Sequence, residues 1–466
     1  MPSRPSRYAI VSDSEFRHPS GRVVRPVLHA ATARVFLADP QLAGRLAGEP
    51  PAGLGGLAER DKPAGPVAGN EVSPEADSQD SVLRAAGLLV DEDADESAAI
   101  IAASRAAARD VRTRAFVVMP SAYCNMGCGY CGQRHERITV GGTHREAIAA
   151  RFDRAARSGR YDALTVRWFG GEPLMAFAVL RDLSERFIAS AADAGVRYAA
   201  KVVTNGALLD ARKLHALHRA RVSTMEITLD GPAQVHDVSR PLKGGGGSFD
   251  RITAVVAAAL RDPGLDGLQF VVRTNVGVHN AGLAETFSAA LAEAGLAHDR
   301  VHCYPAPVHS WGNDVTDVAL ARREMAATEM AWLRAYRRHG LRSALLPAAP
   351  IDVVCVAATR HSEVVAPDGQ LFSCTEQPLV PSAAGSGLGG IAELGVADLR
   401  PAGAFDDWYD TVEAGQTPCR SCAILPLCGG ACPKLWREDR PPCPPMRDNV
   451  RERLDLYALD AGYTRV

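Results

Sequence analysis

Apolar runs of strand length recur through the middle of the chain, at 114–120, 163–170, 198–205, 224–230, 268–276 and 301–307. Between them, apolar residues return with helical spacing over 143–158, 174–194, 210–220, 249–262 and 281–295. Strands alternating with helices every roughly 25–40 residues predict parallel βα units. Six such units in this order predict an α/β fold whose core is an open, partial (β/α)6 barrel of TIM type, over 111–312. A helical bridge is expected at 313–350, with its long helix over 314–339.

The flanks differ. Residues 1–48 mix short apolar stretches (8–11 and 23–37) with Arg and Pro, which suggests a small α+β module over 1–110. Within it, 49–80 is rich in Pro, Gly and acidic residues, a composition that buries little surface, and is expected to be an exposed linker. Residues 81–110 return to alanine-rich helical patterning around an acidic turn. From 351 to 466 the chain becomes cysteine-rich.

Polar motifs cluster where the strand pattern ends. CNMGCGYC follows the first strand, GGEP the second, TNG the third and LDGP the fourth; RTN lies in the fifth, and HCYPAPVHSWGND runs out of the sixth. In a βα barrel the loops at the carboxyl ends of the strands converge on one face, so these motifs predict one shared site. The last loop brings His302, Tyr304, His309, Trp311, Asn313 and Asp314 towards a substrate, with no acid or base assigned among them.

Length and charge narrow the classes. At 466 residues the chain exceeds one ordinary domain, and 52 basic against 54 acidic residues give no reason to expect nucleic acid or an anionic membrane as partner. The opening MPSRPSRYAIVSDSEF lacks the apolar run of a signal peptide, and no stretch approaches the length of a membrane span, so a cytoplasmic location is expected. Eleven cysteines, an odd number in two tight groups, favour metal ligation over disulfides in a reducing compartment.

Cys124, Cys128 and Cys131 form CxxxCxxC. Three thiolates on a short loop hold three irons of a 4Fe–4S cube and leave the fourth iron open for a chelating ligand. A zinc site is the other reading; it needs a fourth ligand such as His135 and normally uses paired CxxC spacing.

With the motifs that follow it, this segment resembles the radical S-adenosylmethionine (SAM) superfamily over roughly 114–310. The resemblance implies SAM chelated to the open iron and cleaved reductively to a 5′-deoxyadenosyl radical, which abstracts hydrogen from substrate. Gly170, Gly171, Glu172 and Pro173 match the family's GGEP motif, whose backbone carbonyls and carboxylate meet the SAM ammonium. Thr204 and Asn205, followed by Gly206, lie where the family places ribose contacts, a strand-ending turn being the plainer reading. LDGPAQVHDVSR resembles the LDGxxxxHDxxR run of the peptide-modifying branch, in which Arg240 would pair with the SAM carboxylate. Tyr130 matches a position whose backbone meets adenine.

The second cysteine group matches the seven-cysteine SPASM pattern, expected over 351–466. That family implies two auxiliary 4Fe–4S clusters, three clusters in all: one on Cys419, Cys422, Cys428 and Cys443, the other on Cys355, Cys374 and Cys432. A zinc ribbon would leave three cysteines unexplained. Some relatives add an eighth cysteine just before the first of the seven; here the stretch LLPAAPIDVV has none. The fourth position is therefore open, or closed by Asp352, Cys303 or a substrate thiolate; for Cys303 a buried strand position is the plainer role.

These two halves together imply a maturase acting on a precursor peptide or protein, with a ferredoxin or flavodoxin as electron donor. The leading expectation is modification of a ribosomally made peptide, by crosslinking or another change, with the N-terminal module as a possible leader-peptide grip; mere barrel capping is the alternative for that module. Sulfatase-maturase-like formylglycine formation competes, but the Asp such relatives carry after the second SPASM cysteine is here Thr375, which cannot act as a base at neutral pH; Glu376 is expected to point elsewhere. A non-catalytic iron–sulfur electron carrier is the alternative of another class.

Overall fold

A computed structural model describes residues 2–49, 57–59 and 76–466. It divides into two compact units: Ala108–Ser343 with Cys355–Asp406, and Met1–Ala107 with Ala344–Val354 and Asp407–Val466.

The first of these is built on β1 (Thr113–Val118), α1 (Gly142–Arg157), β2 (Ala163–Trp168), α2 (Phe177–Asp193), β3 (Arg197–Thr204), α3 (Ala211–Arg219) and β4 (Val222–Thr228). It continues with α4 (Ala233–Ser239), α5 (Phe249–Leu260), β5 (Gln269–Val276), α6 (Ala284–Glu293), β6 (Val301–Pro307) and α7 (Arg322–Arg338). The six strands lie side by side in chain order, all parallel, and the sheet does not close on itself. The open (β/α)6 barrel expected from the periodicity is therefore the fold.

Two further strands were not signalled by the sequence. β7 (Ser362–Val365) pairs parallel to β1 with Ser362 opposite Ala115, and β8 (Leu371–Phe372) returns antiparallel. Runs this short carry too little periodicity to stand out. A buried charge network seats β7: Glu363 accepts from Arg151 Nη2 of α1 at 2.7 Å and from Arg114 Nη2 of β1 at 3.3 Å.

Alternation along the strands sorts two faces. Leu164, Val166 and Trp168 of β2, like Ala200 and Val202 of β3, are buried in the main apolar cluster with the helices. There Phe152 stacks on Phe187 with centroids 4.2 Å apart, and Trp168 lies parallel to Phe187. Each such side chain contributes about 1.5–3 kcal/mol by leaving water. The intervening residues face the other way and carry polar groups.

The other unit holds an antiparallel sheet in the order Thr464–Arg465, Phe16–Arg17, Val23–His29, Arg34–Ala38, Leu57–Glu59, with Ala9–Val11 also on Val23–His29. Helix Pro40–Ala47 starts at Asp39, whose carboxylate accepts from the backbone of Gln41 and Leu42, and stops at Gly48 with φ 75°. The chain's two ends meet here: Phe16, Val24 and Leu37 pack with Ala458 and Tyr463, and Ser12 Oγ donates to Asp455 at 2.5 Å. Of the stretch read as a linker, 50–56 and 60–75 lie outside the described residues; 57–59 form a strand and 76–80 begin helix Ala76–Ala85. Among the described residues no helix is long and apolar enough to cross a membrane.

Candidate active site

The cysteine loop leaves β1 and is clamped by the glycine pair after β2. A Cβ on Gly171 would lie 2.7 Å from the carbonyl oxygens of Ala122 and Tyr123, and one on Gly170 (φ 120°) would lie 2.9 Å from that of Ser121. The two glycines are thus required for close approach to the backbone just ahead of Cys124. Gly171 and Glu172 donate their N–H groups to Ser121 and Tyr123, at 3.2 and 2.9 Å.

Glu172 is wholly buried. Its Oε1 accepts from Leu174 N (2.9 Å) and Thr204 Oγ1 (2.8 Å), and its Oε2 from Asn205 N (2.8 Å). Burial raises its pKa above the ordinary carboxylate value, against the pull of those three donors. Glu172 therefore ties the ends of β2 and β3 together, and the buried Pro173 opens the turn Pro173–Ala176 behind it. Asn205 reaches on to the cysteine loop, donating Nδ2 to Asn125 Oδ1 at 2.8 Å and to Cys124 Sγ at 3.6 Å.

A second network comes from β4, α4 and β5. Arg240 Nη1 donates to the Tyr130 hydroxyl, which donates to Asp230, and lies 3.5 Å from that carboxylate. Asn275 adds its Nδ2 to Tyr130 (2.9 Å) and its N–H to Asp230 Oδ1 (2.7 Å). His236 accepts from Asp230 N at 3.1 Å and meets Ser248 Oγ at 3.1 Å, so its role in the HDxxR run is to brace this loop. Burial and the neighbouring Arg240 lower its pKa to about 4, which keeps the ring neutral. The Tyr130 carbonyl accepts from Asn313 Nδ2 at 3.2 Å.

These groups border one cleft of ≈ 420 Å³ at the carboxyl ends of the strands. Cys124, Cys128, Tyr130, Cys131, Gly170, Gly171, Thr204, Asn205 and Arg240 line it; Glu172 and Pro173 stand behind its wall. Of the final loop, Tyr304, His309 and Trp311 reach it, whereas His302, Asn313 and Asp314 do not. Thr375 and Glu376 also line it, and Glu376 Oε1 meets His309 Nε2 at 3.2 Å. The expectation that Glu376 points elsewhere is therefore corrected: after β8 the chain turns so that both residues 375 and 376 reach the cleft. The sequence reading also passed over Arg167, Lys201 and Glu226, whose signal is the charge alternating with apolar residues in β2, β3 and β4.

The thiols at the mouth call for a bound cation. Burial pushes the Cys124 thiol up to about 11 and raises those of Cys128 and Cys131, so a bound cation is what would hold them as thiolates at neutral pH. Among the described residues no His, Cys, Asp or Glu group is arranged to hold a single metal ion. His135, the fourth ligand a zinc site needs, does lie 3.9 Å from Cys131 Sγ. Among the described residues nothing partners the buried Arg240 Nε, a donor left over for a ligand.

Two further thiol groups sit elsewhere. Cys419, Cys422, Cys428 and Cys443 line one small pocket with Arg447, whose Nη1 lies 3.0 Å from Cys443 Sγ. The Gly429–Gly430 turn inside this group accepts indole N–H bonds from Trp408 (3.1 Å) and Trp436 (2.8 Å). In the barrel unit, Cys355 and Cys374 flank the β7–β8 hairpin and pack in one cluster with Ala357 and Phe405. Cys432 and Asp352 belong to the other unit. Cys303 is fully buried on the helix side of β6, its thiol pushed by burial to about 12, and takes no part in the cleft.

This open parallel barrel with a thiol-lined mouth has counterparts among known proteins. Residues 118–303 match the model of the Radical SAM superfamily. Among solved structures it is similar to "Native anSMEcpe with bound AdoMet and Kp18Cys peptide", at 15% identity over 75% of this chain and 98% of that one, with TM-score 0.57. It is similar to "Native anSMEcpe with bound AdoMet" at 15% identity over 74% and 97%, with TM-score 0.56. SuiB of Streptococcus suis bound to precursor peptide SuiA aligns over 95% of this chain and 98% of that one, at 12% identity and TM-score 0.46. No curated protein matches the chain.

Proposed function

We propose that the chain is a radical SAM maturase that abstracts hydrogen from a ribosomally made peptide and leaves a crosslink or other modification. One observation carries this: Cys124, Cys128 and Cys131 share a single cleft with Gly170, Gly171, Thr204, Asn205 and Arg240. The three thiols would hold a 4Fe–4S cluster, and those cleft residues with Tyr130 would hold SAM. When bound, the pair would supply a one-electron cleavage of SAM and with it a carbon radical able to take hydrogen from substrate.

The chain's own contribution is positioning. The glycine pair presents backbone at the cysteine loop, Glu172 keeps the β2 and β3 ends in register, and Arg240 Nε offers a charged donor to a carboxylate. Tyr130, Asp230 and Asn275 hold that guanidinium in place before any ligand arrives. Auxiliary clusters on Cys419, Cys422, Cys428 and Cys443, and on Cys355, Cys374 and Cys432, belong to the same reading, as do a flavodoxin or ferredoxin donor and a leader grip in the N-terminal module.

Formylglycine formation is the second reading. Thr375 offers no base at neutral pH, but Glu376 beside it in the cleft keeps a carboxylate near the substrate. A plain electron carrier would have no use for a cleft of this size beside its cysteines. Anaerobic reconstitution with iron and sulfide, followed by dithionite and SAM, tests the proposal. Formation of 5′-deoxyadenosine is expected; zinc at the first cysteine trio, or a reduced cluster that leaves SAM intact, would refute it.

A further inference from the structure

Closed barrels fill their interior with packed aliphatic side chains. Here the inward strand positions carry charge instead: Arg167 on β2, Lys201 on β3, Glu226 on β4 and Arg273 on β5 all line the cleft. Glu226 is the single carboxylate among these four. Its Oε2 accepts from Lys201 Nζ at 2.5 Å and its Oε1 from Tyr304 at 3.1 Å. Arg273 gives its Nε to Asn275 Oδ1 at 3.0 Å. Glu376, the other carboxylate that lines the cleft, meets His309, and the buried Asp230 is engaged by Arg240 and Tyr130.

Arg167 is the exception. It reaches the cleft, and among the described residues it makes neither a hydrogen bond nor an ion pair. Among the described residues Lys201 pairs with Glu226 and Arg240 with Asp230, whereas Arg167 and Arg273 pair with no carboxylate; Arg273 donates to Asn275, which leaves Arg167 as the cleft guanidinium without a hydrogen bond. A planar fork of donors held on a strand suits a carboxylate, which accepts two parallel N–H bonds. With Arg240 assigned to SAM, Arg167 is left to the other ligand.

Resting on the maturase reading above, we propose that the cleft recognises a carboxylate borne by the peptide substrate, an acidic side chain or the C-terminal acid, with Arg167 as its anchor. The modified residue then lies next to, or is itself, an acidic or C-terminal residue, because Arg167 shares one cleft with the cysteine trio.

Three N-acetylated alanine hexapeptides test this by calorimetry on the reconstituted, SAM-saturated full chain. One carries a central glutamate and an amidated end, one a central glutamine and a free C-terminal acid, and one a central glutamine and an amidated end. At least one acid-bearing peptide should bind about tenfold or more tightly than the neutral one, the worth of a charge-assisted hydrogen bond, and which of the two binds identifies the source of the carboxylate. Arg167→Glu should reverse the order in favour of a lysine-centred peptide, a gain that misfolding cannot produce. Equal binding of all three, no binding of either acid-bearing peptide, or an unchanged order in Arg167→Glu overturns the inference. Dithionite-driven release of 5′-deoxyadenosine from the wild-type protein is scored separately. If it appears without peptide discrimination, only the carboxylate anchor fails; if it is absent, the maturase reading itself fails.

Discussion

Replacing Glu172 by glutamine separates a contact with ligand from a role inside the chain. The carboxylate is wholly buried and accepts three bonds, from Leu174 N, Thr204 Oγ1 and Asn205 N. Glutamine keeps the shape and one oxygen, which can still serve the two donors that meet Oε1. Its amide nitrogen would then confront the N–H of Asn205, donor against donor. One buried donor left without a partner costs about 1–3 kcal/mol, and the surviving bonds lose their charge assistance, so about 2–4 kcal/mol of stability should go. Alanine strands all three donors and should cost about 3–9 kcal/mol on the same scale. Urea unfolding of the anaerobically reconstituted protein measures the loss, and equilibrium binding of SAM measures the effect on the site. The expected result is a lowered unfolding midpoint, with SAM affinity falling only as far as Asn205 and the cysteine loop loosen. A glutamine variant that unfolds like wild type but binds SAM tenfold or more weakly would refute the reasoning and make Glu172 a direct ligand contact.

Three other outcomes are expected. Glu363→Gln weakens a buried carboxylate set between Arg114 and Arg151, and should destabilise the barrel unit by about 3–5 kcal/mol in the same urea assay; a loss below about 1 kcal/mol would remove the network as the seat of β7. Cys303→Ala should leave iron content and the cluster spectra unchanged, since the thiol is fully buried among helix-facing side chains; loss of iron would make it a ligand after all. His236 is held neutral with a pKa near 4 where an unfolded histidine has 6.5, so the folded state binds fewer protons than the unfolded state between those values. Its contribution is complete above pH 6.5 and is lost as pH falls towards 4, by up to about 3 kcal/mol; this slope should be smaller in His236→Gln, and an identical slope in both proteins would exclude the residue as its source.

Much of the barrel was legible because its signals are local. Periodicity found the six parallel strands, and the motifs fell at their carboxyl ends because βα units place every such loop on one face. CxxxCxxC and the GGEP glycines announced a loop chemistry within a few residues of chain. The β7–β8 hairpin did not announce itself, since its strands are only four and two residues long.

Roles within the cleft were less legible. Sequence spacing could bring Glu172 and Arg240 to the site, but not say which atoms would already be engaged: the first proved to spend its carboxylate on β3, the second to retain a buried Nε. Arg167, Lys201 and Glu226 were passed over in the sequence because only the open sheet makes one face of each strand a cleft wall. Glu376 was misjudged because a residue just beyond a two-residue strand has no periodicity to fix its direction.

By itself, then, the sequence determined the βα alternation, the face on which the loops gather and the grouping of the thiols, all of which follow from spacing along a few turns or pleats. Tertiary structure alone decided that Ser12 would meet Asp455 and Phe16 would meet Tyr463, and that a short hairpin near residue 370 would extend the sheet beside β1. Those pairings depend on burial and hydrogen bonding between segments hundreds of residues apart, for which a single chain's local pattern holds no register.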